Sequence, residues 1–81
     1  MDKRIGVVAI VVENLENASA VNDILHSFAD IIVGRLGIPY RERNVSIISV
    51  IVDGSSDEIN AMTGKLGKTD GITVKTAITK K

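Results

Sequence analysis

Two stretches of β-branched residues dominate the chain. They are Ile5-Gly6-Val7-Val8-Ala9-Ile10-Val11-Val12 and Val45-Ser46-Ile47-Ile48-Ser49-Val50-Ile51-Val52. Both are apolar at odd and even positions alike. Successive side chains of a strand point to opposite faces, so such a run predicts a strand that avoids water on both sides. Both runs are also far shorter than the ~20 residues needed to cross a bilayer. Whatever this chain folds into must therefore supply two covers for these strands.

The segments between them predict two helices. After the polar loop Glu13–Asn17, where Asn14 or Asn17 can accept a first-turn amide, Ala18, Val21, Leu25, Phe28 and Ile32 recur at spacings of three and four. This pattern predicts a helix from Ala18 to about Ile31. Gly34 and Gly37 then break it, and residues 33–41 read as an irregular strand whose Pro39 belongs at a sheet edge. Arg41–Asn44 is a charged turn. Asp53-Gly54 reads as a tight exit from the second apolar run. Ser55 and Glu58 have the spacing of a capping box. The helix that follows carries Ile59, Met62 and Leu66, with Gly67 suited to a left-handed C-terminal cap. Asp70-Gly71 marks a turn, and residues 72–79 alternate as a half-exposed strand.

The order βαββαβ is the split βαβ arrangement of ferredoxin-like α+β folds. Right-handed crossovers put the two apolar runs in the centre of a four-stranded antiparallel sheet of order 4-1-3-2. The two halves echo one another: Val21-Asn22 matches Ile59-Asn60. With 81 residues, the chain (1–81) is expected to form one domain. Two helices cover one face of such a sheet. The other face is expected to meet a second copy, giving a dimer or tetramer, because a bare patch of Val and Ile invites aggregation. Small domains also gain stability from disulfides, metals or self-association. Here there is no cysteine, and His26 is the only histidine.

Composition narrows the function. The formal net charge is zero, and Phe28 and Tyr40 are the only aromatic residues. Nucleic-acid binding needs a basic face or stacking platforms, so it is not expected of the chain alone. No signal-like or membrane-spanning segment is read, which predicts a soluble cytoplasmic protein.

No catalytic constellation emerges. A nucleophilic enzyme needs an activated hydroxyl or thiol beside a base, and His26 reads as a solvated helix residue. Glu13 and Asp53 close adjacent central strands and form a candidate carboxylate pair, better suited to binding than to catalysis. Gly64-Lys65-Leu66-Gly67 lacks the spacing and the hydroxyl residue of a phosphate-binding loop. Gly34–Arg41 is the least ordinary stretch. It reads either as a charged edge strand or as a contact in which Arg35 forks an anion and Tyr40 is an anchor. Asn22 and Asn60 either tie their helices to loops or line a pocket. The candidate ligand-binding residues are Glu13, Asn14, Asn22, Arg35, Tyr40 and Asn60, with no catalytic residue and no metal ligand expected.

The chain resembles the small proteins known as iron-only hydrogenase system regulators. The resemblance rests on Arg4-Ile5-Gly6-Val7-Val8, Val12-Glu13-Asn14, Val21-Asn22-Asp23-Ile24-Leu25 and Gly34–Arg41. It continues in Val50-Ile51-Val52-Asp53-Gly54, Glu58–Gly67 and Val74-Lys75-Thr76. That family is similar to ACT-type regulatory domains and to the C-terminal domain of nickel-responsive repressors. The resemblance implies an ACT-like ferredoxin fold, assembly into dimers or tetramers, and a regulatory role; regulation through a small-molecule effector or a protein partner is the expectation built on it. It does not carry over a nickel site, for which those repressors use several His and a Cys. Nor does it carry over an amino-acid site, because Glu13-Asn14-Leu15-Glu16 lacks the Gly or Pro of ACT ligand loops. The expected function is a non-enzymatic, oligomeric regulatory or sensor domain, with no cofactor identified. The rivals are a transcription regulator that contacts DNA through its oligomer surface, and a structural adaptor without ligand.

Overall fold

The computed structural model describes residues 3–80. Strand β1 (Lys3–Val12) leads through a 3-10 turn at Leu15–Asn17 into helix α1 (Ala18–Ser27). A second 3-10 turn, Ala29–Ile31, enters β2 (Ile32–Tyr40). A third, Arg41–Arg43, reverses the chain into β3 (Val45–Ser55), which is followed by α2 (Ser56–Gly67) and β4 (Ile72–Ile78). The sheet order is β2-β3-β1-β4 and every neighbouring pair is antiparallel. The expected ferredoxin-like α+β architecture is thus observed, with the two apolar runs in the middle and the Pro39 strand at an edge.

The alternation of strand side chains sorts the sheet into two faces. Val8, Ile10 and Val12 of β1 and Ile48, Val50 and Val52 of β3 are buried with Val21 and Leu25 of α1 and Ile59, Met62 and Leu66 of α2. Each such side chain contributes about 1.5–3 kcal/mol when fully buried. The odd-numbered set has no cover within the chain. Ile5, Val7, Ile47 and Ile51 lie exposed on the other face, together with Leu36, Ile38 and Tyr40 of β2.

Three expectations are corrected. Helix α1 stops at Ser27 rather than near Ile31, because Phe28 leaves the helical region (φ −111°, ψ 22°). The following 3-10 turn instead drops Ile31 into the core. Asp53-Gly54 is not an exit: β3 continues to Ser55, and Gly54 pairs with Arg4. The space there is tight: a Cβ would stand 3.0 Å from Ile31 Cγ2 and 3.2 Å from Glu58 Oε1. Gly67 is not a left-handed cap. It ends α2 within the helix, and the C-cap is Lys68 with right-handed torsions. Elsewhere the punctuation is as read. Ser55 and Glu58 form a reciprocal capping box, and Gly71 adopts φ +73°. Of the two candidate caps, Asn14 accepts from the Glu16 amide at 3.0 Å, whereas Asn17 makes no side-chain cap and donates instead to the Asp70 carbonyl.

Candidate functional site

The six candidate residues fall into two clefts and two isolated positions. Arg35 pairs with Val50 across the β2–β3 ladder, and Val50 is buried on the helix side. Arg35 is therefore directed toward α1, where its Nη2 donates to Asn22 Oδ1 at 2.8 Å. Asn22 is placed there by its neighbour Val21, which is fully buried and fixes the rotation of α1. Between the two elements lies an open cleft of about 540 Å³ lined by Asn22, Asp23, Leu25, His26, Ala29, Ile32 and Arg35. Its wall is apolar at Leu25, Ala29 and Ile32. Its rim carries one guanidinium, one imidazole, one carboxylate and one amide.

A second cleft, of about 310 Å³, lies at one end of the uncovered sheet face. It is lined by Val11, Glu13, Tyr40, Arg43, Val45 and Ile47. Register explains the grouping: Tyr40 pairs with Val45, Ile38 with Ile47, and Val11 with Ile47. Glu13 continues β1 at this end, with its amide donating to the Gly71 carbonyl at 2.7 Å and its Oε1 accepting from the Thr73 hydroxyl. This cleft combines a carboxylate, a guanidinium and a phenol on an apolar floor.

Asn14 and Asn60 join neither cleft. The Asn14 amide donates to the Gly71 carbonyl at 3.2 Å and its side chain holds the turn into α1, so it ties two loops together. Asn60 is exposed on α2, where its carbonyl accepts from the Thr63 hydroxyl at 3.3 Å. The matching places of Asn22 and Asn60 thus differ in surroundings, because only α1 has an arginine of an edge strand beside it.

The carboxylate pair is corrected. Asp53 continues β3 opposite Ile5, near the start of β1, while Glu13 follows the end of β1. Antiparallel pairing puts them at opposite ends of the sheet, roughly 25 Å apart at about 3.4 Å per residue. They do not form an acid/base pair. Among the described residues, no cluster of three or more His, Cys, Asp or Glu could hold a metal ion. No helix among them is long and apolar enough to cross a membrane.

Asp23, His26 and Arg43 were missed as lining residues. His26 carried a readable signal: it lies four residues after Asn22, hence on the same side of a helix. Arg43 carried none, because its place follows from the turn between β2 and β3.

Comparison with known proteins adds the relationships. A sequence model of the TM1266-like family, described provisionally as iron-only hydrogenase system regulators, matches residues 4–76. The structure of TM1266, an uncharacterized protein from Thermotoga maritima, is similar at 39% identity and a TM-score of 0.89, covering 94% of this chain and 96% of that one. The C-terminal domain of the MgtC protein from Mycobacterium tuberculosis shares the fold at 8% identity and a TM-score of 0.74, covering 98% of this chain and 90% of that one. A protein from Thermus thermophilus described provisionally as a PII-like signaling protein does so at 16% identity and a TM-score of 0.62, covering 98% and 92%. No curated protein matches the chain.

Proposed function

The chain belongs to the TM1266-like family of iron-only hydrogenase system regulators, and on that premise we propose that it is a non-catalytic regulatory domain that works as an assembly of copies joined through the open sheet face. The observation that carries this reading is the uncovered row of Ile5, Val7, Ile47, Ile51, Leu36 and Ile38, each 40–63% exposed. β1 is ten residues long, or about 33 Å, and four strands span about 19 Å. The face thus offers a footprint of about 600 Å² per copy, about 1,200 Å² for a pair, which reaches the lower bound of specific protein interfaces. Its rim carries both signs: Lys75 lies in register with Ala9, and Asp53 with Ile5. Assembly would also close the cleft of Glu13, Tyr40 and Arg43, which opens on this face.

The test has two parts. Light scattering of the purified chain is expected to give a dimer or tetramer; a single copy at high concentration overturns the assembly. In a host whose iron-only hydrogenase activity changes when this gene is deleted, the wild-type chain is expected to restore it and a Val7→Asp variant is not. Equal restoration by both removes the link between assembly and regulation.

A further inference from the structure

We propose that the cleft between α1 and β2 binds a small organic anion of single charge, a monocarboxylate with a compact apolar body. This deepens the regulatory reading, and rests on it only for what binding would signal.

The argument starts from Arg35. A guanidinium carries five N–H donors in a rigid fork. Among the described residues, Asn22 is the one polar partner of Arg35. That single bond orients the fork and leaves most of its donors open to the cleft. Asn22 is well placed to hold it, because the buried side chains of Val21 and Leu25 fix α1 against the sheet. A planar, pre-oriented fork suits a carboxylate, which accepts two parallel bonds. His26, one helical turn beyond Asn22, adds a further donor on the same rim.

The other lining residues set the rest of the ligand. Leu25, Ala29 and Ile32 make an apolar wall beside the charged rim. An apolar body there removes hydrocarbon from water, which is the usual source of affinity in such sites. Asp23 lines the same cleft. Its carboxylate offsets the guanidinium and disfavours polyanions such as nucleoside triphosphates, so a single negative charge fits best. The volume of about 540 Å³ lies within the range of small-molecule sites.

The test is a ¹H–¹⁵N NMR titration of the full chain with three probes: 3-methylbutanoate, its neutral amide 3-methylbutanamide, and inorganic phosphate. Saturable shifts of the Asn22, His26 and Arg35 amides are expected with 3-methylbutanoate. Binding of the amide and of phosphate should be at least about tenfold weaker. Arg35→Gln, at an exposed position, should keep a dispersed spectrum and lose at least about tenfold in affinity. Absence of saturable shifts at about 20 mM, above the low-millimolar Kd that a ligand of this size can reach, overturns the proposal. So does equal binding of the amide, preferential binding of phosphate, or indifference to Arg35→Gln. A chain that proves to be a single copy sinks the assembly reading and leaves this titration unaffected, so the two failures are distinguishable.

Discussion

Val7 on β1 and Ile51 on β3 stand directly opposite each other on the face turned away from the helices, and each is 44% exposed. Cross-strand pairs of this kind stabilise a sheet, yet their outer surfaces have no cover within the chain. Ile51→Asp is expected to change the stability of the single copy by no more than about 1 kcal/mol. It should weaken self-association at least about a hundredfold, since a two-fold interface buries the new carboxylate twice. Sedimentation velocity over a concentration series reads the effect. An assembly unchanged by the substitution would locate the interface elsewhere.

Gly54 and Gly64 should respond in opposite directions to the same substitution. A Cβ on Gly54 meets Ile31 Cγ2 at 3.0 Å, and Ile31 is itself buried. Gly54→Ala therefore overpacks the seam between β3 and the turn before β2, at a cost of about 1–3 kcal/mol. Gly64 lies inside α2, where a Cβ would have nothing within 4 Å. Gly64→Ala should stabilise by about 0.5–1 kcal/mol, by restricting the unfolded chain. Urea midpoints of the two variants at equal slope check both signs.

Gly71 is held by two separate constraints. Its φ of +73° disfavours any side chain, and a Cβ would stand 2.5 Å from Asn14 Cβ. Gly71→Ala is expected to cost about 2 kcal/mol or more. Adding Asn14→Gly should recover the part due to the Cβ–Cβ clash and leave the torsional part and the close contact with the residue 14 backbone N at 3.1 Å. A double-mutant cycle that showed simple additivity would mean the Asn14 contact carries no energy.

The capping box gives the chain an acid-sensitive element. The Ser55 amide and hydroxyl hold the Glu58 carboxyl below the usual glutamate range, with Lys3 adding a smaller effect. A carboxyl lowered on folding stabilises the native state above its unfolded pKa, and this contribution is lost as pH falls through the folded value. Ser55→Ala should cost about 1 kcal/mol near neutral pH. It should also reduce, without abolishing, the acid dependence of the urea midpoint, because the Ser55 amide, the larger of the two causes, is kept. A wild-type and a variant curve that stay parallel down to about pH 3 would contradict the hydroxyl's share of the linkage.

Much of the fold was legible in the sequence because its signals are local. The two apolar runs, the three-and-four spacing of Val21 and Leu25, and the Ser55–Glu58 cap each act within a few residues. The errors arose where distant packing decides. Gly54 looks like a turn residue, but its missing side chain makes room for Ile31, twenty-three positions earlier. Glu13 and Asp53 look alike as residues that close strands, but antiparallel pairing sends them to opposite ends.

By itself, the amino-acid order determined which segments are strands and helices, and that the central pair shuns water on two sides. Periodicity and capping suffice for that. Only the tertiary structure decided that Arg35 reaches Asn22, that Tyr40 shares a cleft with Glu13, and that Asn14 and Asn60 stand apart. The physical reason is that strand register and helix docking bring together side chains far apart in sequence, and no local pattern records which ones will meet.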